Sequence, residues 1–172
     1  MDGSNPPDRA TIRLGDRPGD LGTVVAMHGV LYGREEGMDQ TMEAYVATGL
    51  AEYALARARS GDAAGRLWVA ETGTGLAGSI GMTASAEEGA AQLRWFLLDP
   101  SARGQGLGRR LRDVALDFAR AQGYRSVFLW TIAGLAPAHH LYKEAGFTLT
   151  TRHPVRKWGI ETFEERYDLP LT

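Results

Sequence analysis

An apolar, strand-like run ending at Leu98-Asp99-Pro100 leads into Arg103-Gly104-Gln105-Gly106-Leu107-Gly108, and an amphipathic helical pattern leaves it. Strand, glycine loop and helix in that order build an anion cradle. Alternating glycines let the backbone turn sharply and approach a ligand, and the first amides of the helix have no intrahelical acceptor. The positive end of the helix dipole and the nearby Arg103, Arg109, Arg110 and Arg112 add to the attraction for a pyrophosphate.

Two other phosphate loops fit less well. The dinucleotide fingerprint needs a third glycine where Arg109 stands, and no acidic residue closes the following strand at 126–131. A nucleotide P-loop needs Gly-Lys-Ser or Gly-Lys-Thr at the helix start. The chain has only two lysines, Lys143 and Lys157, among its 19 basic residues.

The loop resembles the acetyl-CoA loop of the Gcn5-related N-acetyltransferase (GNAT) superfamily, which reads Arg or Gln, two residues, Gly, one residue, Gly or Ala. Arg103, Gly106 and Gly108 fit it. Downstream, Ala138-His139-His140-Leu141-Tyr142-Lys143-Glu144-Ala145-Gly146-Phe147 is similar to the family's Ala-x3-Tyr-x3-Gly-Phe segment. The likeness runs over about residues 11–171 and is specific within 93–147. It extends to acetyltransferase domains sometimes fused to winged-helix regulators.

A chain of 172 residues with 44% hydrophobic content suits one domain with a full core. The expected organisation is a frayed start at 1–9 and one domain at 10–172. A net charge of -2 gives no electrostatic reason for nucleic-acid or membrane binding. Without cysteine there is no disulfide, no thiol nucleophile and no cysteine-type zinc site, and His28, His139, His140 and His153 lack metal-helix spacing, so no metal is expected. The polar first residues and the lack of a long apolar run point to a cytoplasmic protein, and the arginine bias suggests a bacterial, GC-rich source.

Periodicity gives the element order. A strand at 10–14 and a break at 15–19 precede a helix with Leu21, Val24, Val25, His28 and Leu31 on one face. A polar bend at 33–39 separates it from a second helix carrying Met42, Tyr45, Val46, Leu50, Tyr53 and Leu55 inward. Strands at 66–71, 76–85 and 92–98 form an antiparallel meander. The helix after the loop buries Leu107, Leu111, Val114, Ala115 and Phe118, with Gly123 as its stop. A strand at 126–131 follows, then a helix opened near Pro137 and ended by Gly146, and strands at 147–155 and 163–169 flanking a Trp158-Gly159 bend. The fold class expected is α/β (α+β): a mixed, mostly antiparallel sheet flanked by helices, in the order β-α-α-β-β-β-α-β-α-β-β.

Moving an acetyl group from a thioester to an amine requires a neutral nucleophile, stabilisation of an oxyanion and a proton for the departing thiolate. The resemblance implies acetyl-CoA as cosubstrate, held by main-chain groups of Phe96, Leu97 and Leu98 along its pantetheine arm. It implies that Arg103, Gly104, Gln105, Gly106, Leu107, Gly108 and Arg109 hold the pyrophosphate, and that Tyr142 is the proton donor. Many relatives carry a carboxylate on the strand before the loop, but residues 90–98 contain none, so the base is open. Where the family often has Asn, this chain has Leu135. Glu35, Glu36 and Asp39, in the bend, are candidates for attracting a cationic amine. Arg94 is a candidate for an acceptor carboxylate and equally for a surface pair, and Trp130, with Trp95 and Trp158, for lining the acceptor channel. Surface exposure is the expectation for His139 and His140. With no thiol, transfer to a small-molecule or peptide primary amine would be direct, in a ternary complex. A non-catalytic acyl-CoA sensor is the rival reading. Homodimerisation is common in the family and is left open by the sequence.

Overall fold

The computed structural model of the protein describes residues 10–171; the expected frayed segment 1–9 and Thr172 lie outside the described residues. Strand β1 (Thr11–Leu14) leads to helices α1 (Asp20–Glu36) and α2 (Gln40–Ser60). The meander β2 (Gly65–Thr72), β3 (Gly75–Ala84) and β4 (Ala90–Leu98) follows, then α3 (Leu107–Ala121), β5 (Ser126–Ile132), α4 (Ala136–Glu144), β6 (Thr148–Lys157) and β7 (Ile160–Pro170). One seven-stranded sheet runs β1-β2-β3-β4-β5-β7-β6. Every pairing is antiparallel except β4 with β5. This is the expected class and order.

Strand alternation divides the core into two layers. Leu67 and Val69 of β2 pack with Val24 of α1 and Met42, Val46 and Leu50 of α2. Their neighbours Trp68 and Ala70 pack on the other side with Leu111, Ala115 and Phe118 of α3. Leu50 and Leu111 are fully buried, each stabilising the fold by about 1.5–3 kcal/mol relative to exposure. Gly123, at φ +78°, ends α3 as its sequence suggested, and Val114 is only partly covered.

Three local readings need correction. Helix α1 continues through Glu36, so Gly33, Glu35 and Glu36 are helical and only residues 37–39 turn. Gly37, at φ +69°, closes the helix by donating its amide to Tyr32 O, and Asp39 Oδ1 caps α2 by accepting from the Thr41 amide at 2.9 Å. Tyr45 and Leu55 are exposed, at 48% and 62%, because the inward stripe of α2 is Met42, Val46, Gly49, Leu50 and Tyr53. The final hairpin is longer than expected and turns on two residues, Trp158 at φ +55° and Gly159 at φ +76°. Both central residues have positive φ, as a tight hairpin turn requires. The Asp39 amide donates to Trp158 O at 2.9 Å, so this hairpin is tied to the start of α2.

Candidate active site

The parallel pairing of β4 with β5 stops at Gln92↔Phe128, although both strands continue. Beyond that point they share no ladder, and the sheet is split. A bulge in β4 lies beside the split: Ser79 faces Leu97 while Gly81 faces Arg94, so Trp95 and Phe96 together oppose Ile80. Trp95 has φ +49°, and its carbonyl accepts from Ser79 Oγ at 2.7 Å. The extra residue reverses side-chain parity. Ala91 and Leu93 belong to the α3 layer, Trp95 belongs to the α1–α2 layer, and Phe96 and Leu98 return to the α3 layer. Arg94 and Trp95 therefore emerge on one side as a stack, with the guanidinium 4.5 Å from the indole.

Two cavities flank the split and share Tyr32, Phe96 and Leu135. Phe96, Leu97, Leu98 and Arg103 line the first, with Pro137 and Leu141 of α4. Glu35 and Glu36 also line this cavity, whereas Arg94 and Trp130 line the second. The two glutamates are thus separated from the other two residues expected to bind acceptor. The cause is the extra turn of α1, which carries Glu35 to Arg103 at 2.9 Å.

The glycine loop enters α3 beside the first cavity. Gly104 and Gly106 have φ of +76° and +74°, and the backbone amides of residues 104–109 donate no hydrogen bond among the described residues. Gly108 is required by packing: a Cβ there would lie 2.8 Å from Leu141 Cδ1 and 3.0 Å from Leu98 Cδ1. The loop arginines divide. Arg103 Nη2 reaches Glu35 and Leu98 O, and Arg109 Nε reaches Glu144 at 3.1 Å. Arg110 donates to Ala10 O, and Arg112 is buried, bonded to Glu144 and Leu141 O. Arg112 joins α3 to α4 rather than facing the cradle. Arg109 and Arg112 together depress the Glu144 carboxyl to about 2.

The second cavity is lined by His28, Arg94, Trp95, Trp130, Tyr142, Trp158 and Glu164, among others. Tyr142 is 5% exposed, enclosed by the rings of Phe96, Phe147 and Tyr167 at 5.9–6.1 Å, and its hydroxyl has no partner among the described residues. Burial raises its pKa well above the ordinary phenol value, with Tyr32 and Tyr167 adding to the shift. The phenol is a donor at any working pH. His139, expected on the surface, is turned inward beside Tyr142 and Tyr167, with Nε2 buried 3.5 Å from Glu165 and without a hydrogen bond. His140 is exposed as expected.

Three residues here escaped the sequence reading as site residues. His28 Nδ1 is 2.8 Å from Val24 O, and a carbonyl can only accept, so Nδ1 carries the proton. Burial lowers the ring pKa to about 4, so the imidazole is neutral, and its Nε2 lone pair has no partner among the described residues. Tyr32 lines both cavities, its phenol pushed up to about 12 by burial and by Glu36 and Glu35. Glu164 places a carboxylate in the lining of the second cavity, paired with Lys157 Nζ and His153 Nε2. His28 looked like helix core, and Glu164, on β7 between β5 and β6, drew no reading from the sequence. No short motif marks either.

The split between the parallel strands lies beside the glycine loop and the N-terminus of α3, and similarity to known proteins names the family. The model of the acetyltransferase (GNAT) family matches residues 32–147. N-acetyltransferase family 8 member 2 of Rattus norvegicus is 37% identical over 117 residues, 63% of this chain and 52% of that protein. Mycothiol acetyltransferase of Beutenbergia cavernae is 46% identical over 63 residues, 37% of this chain and 20% of that protein. The chain spans about half the length, or less, of these curated relatives. An N-acetyltransferase from Staphylococcus aureus Mu50 superposes with a TM-score of 0.77 at 18% identity, covering 95% of this chain and 99% of the other. The Salmonella typhimurium yncA structure, with its cofactor acetyl-CoA, gives 0.75 at 22% identity, covering 96% and 95%. At such identities the structures show the shared fold. The chain belongs to the GNAT acetyltransferase family. His28, Trp158 and Glu164, which line the second cavity, lie outside the matched segment.

Proposed function

We propose that the protein is an acetyl-CoA-dependent N-acetyltransferase that moves an acetyl group directly to a primary amine in a ternary complex. The observation that carries this reading is the opening of the sheet after Gln92↔Phe128, bordered by two cavities that share Tyr32, Phe96 and Leu135, with the unpartnered Tyr142 hydroxyl in the lining of the second. Acetyl-CoA would supply the activated acyl group as a thioester. The unpaired amides of residues 104–109 suit its pyrophosphate, and a bound anion would satisfy donors that now have none. Main-chain groups of Phe96, Leu97 and Leu98, beside the split, suit the pantetheine arm. Arg103 and Arg109, both on the surface of the cradle, add positive charge.

Tyr142 gives its hydroxyl proton to the departing thiolate. His28 Nε2 takes the proton that the amine nitrogen loses as its bond to the acyl carbon forms. With a pKa near 4, His28 does not deprotonate a resting ammonium, so the amine enters neutral. A chain without cysteine has no thiol for an acetyl-enzyme, which favours direct transfer. The sensor reading rested on the missing strand carboxylate, and the presence of His28 and Glu164 in the cavity removes that support.

Calorimetric titration with acetyl-CoA, with NAD and ATP as controls, tests the cofactor. Selective one-site binding followed by amine-dependent release of CoA is expected. Binding without release in the presence of any amine would return the sensor to first place.

A further inference from the structure

Guanidinium groups in this protein are almost all spent. Arg13 is bonded to Asp20 and Glu71, Arg57 and Arg66 to Asp62, Arg112 to Glu144, and Arg166 to Glu87 and Asp168. Arg34 and Arg59 have no such partner but stand fully in solvent. Arg94 alone among the described arginines is drawn off the surface with neither a hydrogen bond nor an ion pair. It lies in the wall of the second cavity. Withdrawing a cation from water without a partner is unfavourable, and it persists where surrounding structure holds it.

That structure is specific. The β4 bulge projects Arg94 and Trp95 to the same side, and the guanidinium stacks on the indole. Opposite them α2 has Gly49, where any Cβ would overlap the Arg94 guanidinium and would lie 3.4 Å from Trp95 Cζ2. Gly49 is thus a slot in a helix that would otherwise favour almost any other residue at that position. The Trp95 Nε1 donor in the same stack is buried without a hydrogen-bond partner.

From this geometry we infer that the amine acceptor carries a carboxylate, bound by the planar fork of Arg94, together with an apolar body seated among Trp95, Trp130 and Trp158. The class is an amino carboxylate of the amino-acid type. A monoanion is favoured over a phosphate because the cavity offers a single unspent guanidinium and because Glu164, on the same wall system, repels a dianion. Glu164 does not neutralise Arg94, since it is held by Lys157 and His153. The aromatic lining disfavours a strongly hydrated polyamine and suits an apolar side chain. This inference rests on the acetyl-transfer reading for the word acceptor, and on Arg94 alone for the carboxylate.

The test has a binding arm and a turnover arm. In the first, N-acetyl-L-phenylalanine and its neutral amide are titrated into the wild-type protein and into Arg94→Gln. The carboxylate is expected to bind roughly 10- to 100-fold more tightly than the amide, and Arg94→Gln to abolish the difference. In the second, acetyl-CoA consumption is followed with L-phenylalanine and with phenethylamine, which share an aromatic body and a primary amine. Wild type is expected to favour phenylalanine in kcat/KM. Arg94→Gln should raise KM for phenylalanine at least tenfold more than KM for phenethylamine, with acetyl-CoA affinity unchanged. Equal binding of acid and amide, or phenethylamine matching phenylalanine, overturns the inference. Carboxylate-selective binding with no transfer to any amine would refute acetyl transfer and leave the Arg94 carboxylate site standing. A helical-content spectrum and a melting curve for Arg94→Gln, together with Arg94→Lys, which keeps the charge and loses the fork, separate recognition from a folding defect.

Discussion

Replacing Gly81 with alanine adds one methyl group to β3 and drives it into the Trp95 ring in the wall of the second cavity. A Cβ at Gly81 would lie 2.9 Å from Trp95 Cζ3 and closer still to Cε3. The backbone of Gly81 has no positive φ, so the cost is steric alone. The indole cannot easily retreat. It is 7% exposed, packed on Tyr53 at a ring distance of 5.5 Å, stacked under Arg94, and bounded on the far side by Gly49 of α2. Overpacking of this kind costs about 1–3 kcal/mol. Removing glycine's unfolded-state freedom returns about 0.4–1 kcal/mol, so the net loss is about 1–2 kcal/mol. For a domain of this size that lowers Tm by roughly 2–8 °C. Since Trp95 carries Arg94 with it, KM for the amine should rise, while the affinity for acetyl-CoA, proposed to lie along Phe96, Leu97, Leu98 and the glycine loop, stays the same. Thermal melts, acetyl-CoA calorimetry and steady-state kinetics on purified Gly81→Ala would measure all three. Unchanged Tm and unchanged amine KM would refute the reasoning, because they would mean that the ring is free to move and the slot between Gly81 and Gly49 constrains nothing.

Tyr142→Phe should lower kcat by about 10²–10⁴-fold with Tm and acetyl-CoA affinity unchanged, because the hydroxyl has no partner to lose; full turnover by coupled CoA release would remove Tyr142 as the acid. Gly106→Trp puts a side chain at φ +74°, which costs about 1–3 kcal/mol of backbone strain although the space around its Cβ is open, and should weaken acetyl-CoA binding more than tenfold with a lowered Tm. Normal affinity by calorimetry would move the pyrophosphate elsewhere. His28, neutral in the fold with its pKa lowered to about 4, leaves the unfolded chain as the better proton binder between pH about 4 and 6.5. Stability from this group is therefore full above pH 6.5 and falls by on the order of 3 kcal/mol as pH drops through that window. Denaturant melts of His28→Asn across the window should lack this slope, and an identical slope in both proteins would contradict a buried neutral imidazole.

The order of elements could be read along the chain because each signal is local. Alternation marked the meander, an i, i+3, i+4 stripe marked α3, and Gly123 and Pro137 marked ends whose chemistry depends on a few neighbouring residues. The cofactor side was legible for the same reason: Arg103, Gly106 and Gly108 form one contiguous loop, and a helix N-terminus exposes its amides wherever it occurs. The second cavity was assembled by tertiary structure. His28 of α1, Arg94 of β4, Tyr142 of α4, and Trp158 and Glu164 of the β6–β7 hairpin come from four separate parts of the chain. Whether a histidine on a helical stripe is core or site depends on what its second nitrogen meets, and only packing determines that. Arg94 became half-buried and unpaired through a bulge that reverses strand parity, and the bulge requires Gly81 and Gly49 to leave room on both sides of Trp95. The sequence by itself determined the elements and the phosphate cradle, since both follow from bonds within short stretches of chain. The tertiary structure decided which of the candidates share the second cavity, and added His28 and Glu164 to Arg94, Trp95, Trp130 and Trp158, because these residues meet only where the sheet splits beneath α1 and α2.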